Sequence, residues 1–140
     1  MNLRTTRPTT MLLFALIFSA ILAVRIDAKG KNVTIDKKDQ KTTIECTGNA
    51  VTITGEDNTI TLKGECSKLI VKGKDNNITA ATVREVVVSG TDVNVMVANV
   101  AKINATGNDI NILWGSGIGG KAPKISQKKG NDINIVHTGK

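Results

Sequence analysis

Along most of this chain aliphatic and polar residues alternate at period two, and a glycine interrupts the alternation at regular intervals. Five segments fall into register: "VTITGEDNTITL" from Val51, "LIVKGKDNNITA" from Leu69, "VVVSGTDVNVMV" from Val86, "INATGNDINILW" from Ile103 and "SQKKGNDINIVH" from Ser126. Their glycines, Gly55, Gly73, Gly90, Gly107 and Gly130, are spaced by 18, 17, 17 and 23 residues, so one unit is 17 or 18 residues and the last carries an insertion of about six. A partial unit, "GKNVTI" from Gly30, opens the array. Alternation on both sides of a glycine turn predicts two short strands per unit, each with one face turned inward.

A unit this short cannot bury its own apolar face, whereas copies stacked about 4.8 Å apart bury a continuous one. The predicted fold is all-β: a small parallel β-solenoid, β-helix-like, with coils of about 17–18 residues. Equivalent residues then stand in columns. Two after each glycine is an aspartate, giving a column of Asp57, Asp75, Asp92, Asp109 and Asp132; four after it come Thr59 and then Asn77, Asn94, Asn111 and Asn134. Stacked asparagines predict an amide ladder along the axis. Glycine is expected to supply the positive φ of the corner, and the aspartate to hold the bend by accepting from backbone N–H groups. Val93, Ile110 and Ile133 stand where earlier units have Asn58 and Asn76, which leaves the geometry of the later corners open. A β-sandwich or antiparallel meander would also suit short alternating strands. Neither gives a reason for aspartate, asparagine and an aliphatic residue to recur at matched offsets.

The N-terminus reads as an address. Arg4 and Arg7 precede "MLLFALIFSAILAV" (Met11 to Val24), a run of signal-peptide length and short for a bilayer span. Residues 1–28 are expected to be a secretory signal cleaved after Ala28, with Ala23 as the second choice, leaving residues 29–140 as one repeat domain and no stable membrane span; an uncleaved anchor is the competing reading. Removing Arg4, Arg7, Arg25 and Asp27 lowers the net charge from +7 to +5. The lysines read as a scattered, solvated surface rather than a site for an anionic polymer or a membrane surface. With Phe14 and Phe18 also gone, Trp114 is the one remaining Phe, Tyr or Trp, which equips the chain poorly for single-stranded nucleic-acid or sugar sites built on aromatic stacking, and no sequence-specific nucleic-acid partner is expected.

Cys46 and Cys66 fall near one column on adjacent coils, and in an exported chain they predict a disulfide that staples the first coils. "GSGIGGKAP" (Gly115 to Pro123) accounts for the long last spacing; it lacks the Gly-Lys-Ser/Thr ending and following helix of a phosphate loop. Arg84 and His137 are the only arginine and histidine after residue 28, and spacing pairs neither with a nucleophile, so the chain is expected not to be an enzyme; a polysaccharide-acting enzyme is the least favoured reading. The aspartate column suggests calcium, because stacked carboxylates repel unless solvated, hydrogen-bonded or metal-bound; against this, asparagine stands where calcium-binding nonapeptide repeats need a large apolar residue. Thr52, Thr54, Thr59 and Thr61 suggest an ice-binding face, but threonine does not recur in later coils. Six after each glycine, Met96, Leu113 and Val136 point outward as a candidate interface, with coverage by the glycine-rich loop as the plainer alternative.

The run "ILWGSGIGGKAPKISQKKGNDINI", the early cysteine pair and the repeated V-x-G-x-x-N-x-I units resemble the bacterial "domain of unknown function 3060" family, over roughly Cys46 to Val136. The resemblance implies a secreted or envelope-associated, repeat-built protein with no assigned activity, and carries no catalytic residues over. The functional expectation is an exported, non-enzymatic β-solenoid of the periplasm or cell envelope, structural or binding in role, with an envelope protein or polysaccharide as partner and no cofactor unless Ca²⁺.

Overall fold

The structure is a computed structural model that describes residues 24–28 and 30–139. Residues 1–23 of the expected signal lie outside the described residues. Its strands are β1 (Val24–Ala28), β2 (Val33–Ile35), β3 (Lys41–Thr47), β4 (Ala50–Ile53), β5 (Thr59–Val71), β6 (Lys74–Val88), β7 (Thr91–Gly117) and β8 (Lys124–His137), with one 3₁₀ turn at Ile118–Gly120. All pairings between these strands are parallel; the stacking order is β1-β3-β5-β6-β7-β8, with β2 on β4 and β4 on β5. This is the β-solenoid that the repeat predicts. Cleavage after Ala23 would keep β1 as the first rung; cleavage after Ala28 would leave β3 outermost.

Register follows the repeat. Asn77 pairs with Asn94, Ile78 with Val95 and Val86 with Ile103 across β6 and β7. The third complete coil buries Asn76, Ile78, Ala80, Val83, Val86 and Val88. Inward residues recur every second position except around Val83, where they are three apart, so each coil bends there as well. That third segment, centred on the Cys66–Val83 column, is not visible in the alternation near the glycines. The unit shortens from 18 to 17 residues at a register shift between Leu62 and Glu65, beside Gly64 at φ 74°. The long last spacing divides between the glycine-rich loop and a second shift after Ile103: Ile103 pairs with Ile125, but Asn104 pairs with Gln127.

The corner differs from expectation in which residue does what. The left-handed residue is the aspartate: Asp39, Asp57, Asp75, Asp92, Asp109 and Asp132 all have φ between 51° and 57°. Aspartate tolerates this region better than most residues because its short side chain bonds locally. Gly55, Gly73 and Gly90 do not have positive φ; only Gly107 and Gly130 in the corner column do. Glycine is required for another reason. A Cβ at Gly73 would overlap the Gly55 carbonyl oxygen, one at Gly90 would overlap that of Gly73, and Gly107 and Gly130 repeat the arrangement. Each glycine is the place where one coil rests on the carbonyl of the coil before, so the column fixes coil spacing.

Cys46 and Cys66 form a disulfide with a Cα–Cα distance of 5.0 Å. It runs diagonally, since Cys46 pairs in register with Gly64 and Cys66 lies two residues further on. Both cysteines are buried at the N-terminal end of the core.

Candidate functional site

One side of the stack carries no charge over four coils. After each corner the chain runs flat, and alternate residues point outward: Asn77, Thr79 and Ala81; Asn94, Met96 and Ala98; Asn111, Leu113 and Gly115; Asn134, Val136 and Thr138. The earlier coils differ, for Lys41, Glu45 and Lys63 stand on the same face there. The asparagine column is a ladder in its later part: Asn111 Nδ2 donates to Asn94 Oδ1 at 3.3 Å and Asn134 Nδ2 to Asn111 Oδ1 at 3.2 Å. Asn77 lies in register beside Asn94.

Beside the ladder runs the column Thr43, Thr61, Thr79, Met96, Leu113, Val136, which changes from hydroxyl to apolar in mid-stack. A groove of about 150 Å³ lies between the two columns, lined by Asn77, Thr79, Asn94, Met96, Asn111 and Leu113. Met96 is 54% and Val136 46% exposed, and Leu113 is half-buried. The glycine-rich loop does not cover them. It folds beside Trp114, where Ser116, Gly117, Gly120, Lys121 and Ala122 line a separate hollow with His137. Such a face offers amides that both donate and accept, next to apolar ridges, in coil-by-coil repetition.

The aspartate column is spread along the corner. Asp57 pairs with Lys38 at 3.0 Å and Asp75 with its neighbour Lys74 at 3.4 Å. The Asp57 carboxylate raises the Lys38 pKa by hydrogen bond and charge. Among the described residues no three His, Cys, Asp or Glu side chains gather into a metal-ligating group. Left-handed backbone accounts for aspartate at each of these positions without a cation.

The residues with most chemical capacity are engaged elsewhere. Arg84 donates to Glu65 through Nε and a terminal nitrogen, both at 2.6 Å. His137 stacks on Trp114 with ring centroids 4.1 Å apart, and its Nε2 lies 2.8 Å from the Gly115 carbonyl oxygen, so that nitrogen must carry the proton and donate. Reading by motif misses a charge column on another face. Glu85 sits between Lys68 and Lys102, 3.0 Å from each ammonium, and hydrogen bonds from Lys68 and then Lys102 hold its carboxyl below the usual range. Aligning the units at the position before Val86 would have shown Lys68, Glu85 and Lys102 in one column.

Fold and surface together define a disulfide-stapled parallel β-solenoid with one uncharged, ladder-bearing face. Residues 53–96 match the family described as "Protein of unknown function (DUF3060)", which supports membership of the family that the sequence resembles. The matched segment holds three corners, at Gly55, Gly73 and Gly90, and the start of the uncharged face, while the closing motif around Trp114 lies beyond it. No curated protein and no solved structure matches the chain. No helix among the described residues is long and apolar enough to cross a membrane.

Proposed function

We propose that this protein is an exported, non-enzymatic β-solenoid serving as a binding or scaffold module of the bacterial cell envelope, and that it engages an envelope protein or polysaccharide through the uncharged face. The observation that carries this reading is the face itself. In a chain with 22% charged residues, twelve outward positions on four successive coils are uncharged and include Met96, Leu113 and Val136 in one column. Monomeric surfaces seldom leave apolar residues contiguous without a use for them. The buried disulfide favours an oxidising compartment, in keeping with the signal-like N-terminus. The non-enzymatic reading is supported by the structural employment of Arg84, His137 and both cysteines.

The test is recovery of partners from envelope extract by the native protein and by a Met96→Ser, Leu113→Ser double variant whose melting temperature is unchanged. The native protein should enrich a defined partner that the variant loses. Equal recovery by both would remove this face as the binding surface. Calcium held by the aspartates is the second reading, resting on the regular column alone; a Ca²⁺ titration that leaves the melting temperature unmoved removes it.

A further inference from the structure

The positive charge of the domain is concentrated at one end of the stack. Residues 29–112 carry eleven Lys and Arg against ten Asp and Glu, whereas residues 113–140 carry five lysines against Asp132 alone. Lys121, Lys124, Lys128 and Lys129 are exposed, and every ion pair among the described residues lies on the earlier coils. Four of the lysines that sequence reading takes as scattered, Lys121, Lys124, Lys128 and Lys129, therefore form a basic cap. Apolar groups share it. Of the four large apolar side chains left exposed among the described residues, Ile118 at 37%, Ile125 at 48% and Val136 at 46% are on the last coil or the loop leading into it. Ile118 occupies the 3₁₀ turn between Gly117 and Gly119, at the tip of the loop. Ile125 continues the buried column Leu69, Val86, Ile103 and is exposed because β8 is the last strand of the stack among the described residues.

What fits this end is decided by Lys128. It stands in the column filled by Val71, Val88 and Ala105, so a further coil or an added strand would cover its ammonium in an apolar column without a partner. Inward-pointing charge on an edge strand is a device against such pairing. A soluble polyanion would satisfy the lysines and leave Ile118 and Ile125 in water. An anionic bilayer takes both kinds of group at once, because cations meet headgroup phosphates where apolar side chains enter the acyl boundary.

We propose that the C-terminal end of the solenoid docks on an anionic lipid bilayer, with Lys121, Lys124, Lys128 and Lys129 at the headgroups and Ile118 and Ile125 inserted. The two surfaces adjoin at Val136, but Met96 and Leu113, which test the uncharged face, lie on earlier coils and take no part here, so the two readings fail independently. The experiment is co-sedimentation of the processed protein, purified after export, with vesicles of phosphatidylcholine alone or mixed with phosphatidylglycerol, with Trp114 emission as a second readout because it adjoins the loop. Binding should require phosphatidylglycerol, fall as NaCl rises from about 50 to about 300 mM, and shift Trp114 emission to shorter wavelength. Each Lys→Gln change should weaken it about five-fold and all four together several hundred-fold. Ile118→Ser should weaken binding without changing its salt dependence, and Met96→Ser should leave it unaltered. Equal binding to phosphatidylcholine, binding insensitive to salt, or competition by soluble polyphosphate with no effect of Ile118→Ser would each overturn the proposal. The salt titration uses the unmutated chain, so the test survives a variant that fails to fold.

Discussion

The corners of the early coils and those of the later coils share a backbone and differ in what fills it. At both ends an aspartate near φ 51–57° makes the bend and a glycine rests on the carbonyl of the preceding coil. In the early coils the next inward residue is a fully buried asparagine. Asn58 Oδ1 accepts from the Gln40 amide and its Nδ2 donates to the Lys37 carbonyl; Asn76 repeats this with the Asn58 amide and the Gly55 carbonyl. In the later coils Val93, Ile110 and Ile133 take that position, and backbone N–H groups of Thr91 and Asn108 approach the Gly73 and Gly90 carbonyls instead, at 3.4 and 3.3 Å. One turn thus tolerates two fillings, and the carbonyls of Lys37, Gly55, Gly73 and Gly90 keep a donor in either form. The change coincides with others along the axis: the disulfide lies on the early side, while the asparagine ladder and apolar column lie on the later side. The early coils close an end, and the later ones present a surface.

The strongest way to break what the two halves share is Gly73→Ala. A Cβ at that site collides with backbone, which cannot rotate away, so the loss should be on the order of 4 kcal/mol, among the largest single-residue effects. Denaturant melts would show it, and a loss below about 1 kcal/mol would mean that the coils are not in contact there. Next in size is the filling itself. Asn76→Val removes the partner of two buried backbone groups and should cost about 3 kcal/mol, unless the corner relaxes to the later form. Val93→Asn buries an amide where that role is already taken and should cost about 2 kcal/mol. If both substitutions are near neutral, the two corner types are interchangeable and the distinction is only compositional.

Asp92 sharpens the point about the shared bend. Asp92→Ala should cost about 1 kcal/mol through the left-handed backbone, while Asp92→Asn should be close to neutral because asparagine tolerates the same region. Equal losses would show that the carboxylate matters and return weight to a bound cation. The smallest effect belongs to Glu85. Its pKa is lowered in the folded state, so its contribution is fully present above the unfolded value near about 4.3 and is lost as pH falls through the lower folded value. Since the side chain is 24% exposed, screening limits the gain to under about 1 kcal/mol. Stability of the native protein and of Glu85→Gln, measured from pH 7 to pH 2.5, should converge at the acid end.

Much of this was legible in the chain because stacking repeats whatever it constrains. The unit length, the parallel solenoid and the columns follow from matched offsets, and the cysteine pair from two thiols falling near one column on adjacent coils. The division of labour between Gly and Asp did not, because both are turn formers and only the backbone shows which takes positive φ. The bend at Val83 was hidden by three-residue spacings that mimic neither strand nor turn. The Glu85 column and the basic cap do not show in lysines taken singly, because each is defined by position across coils; charge counted coil by coil exposes both. The sequence also allows the loop around Ile118 to cover Met96, but the loop folds beside Trp114 and leaves the later face open.

The central claim is that successive coils lie in parallel register, and amide-to-alpha proton contacts in solution NMR test it most directly. Asn77, Asn94, Asn111 and Asn134 should be linked in series, at offsets of 17, 17 and 23 residues, with neighbouring columns following in step. Close alpha-to-alpha contacts between adjacent strands, which only antiparallel pairing produces, would contradict it.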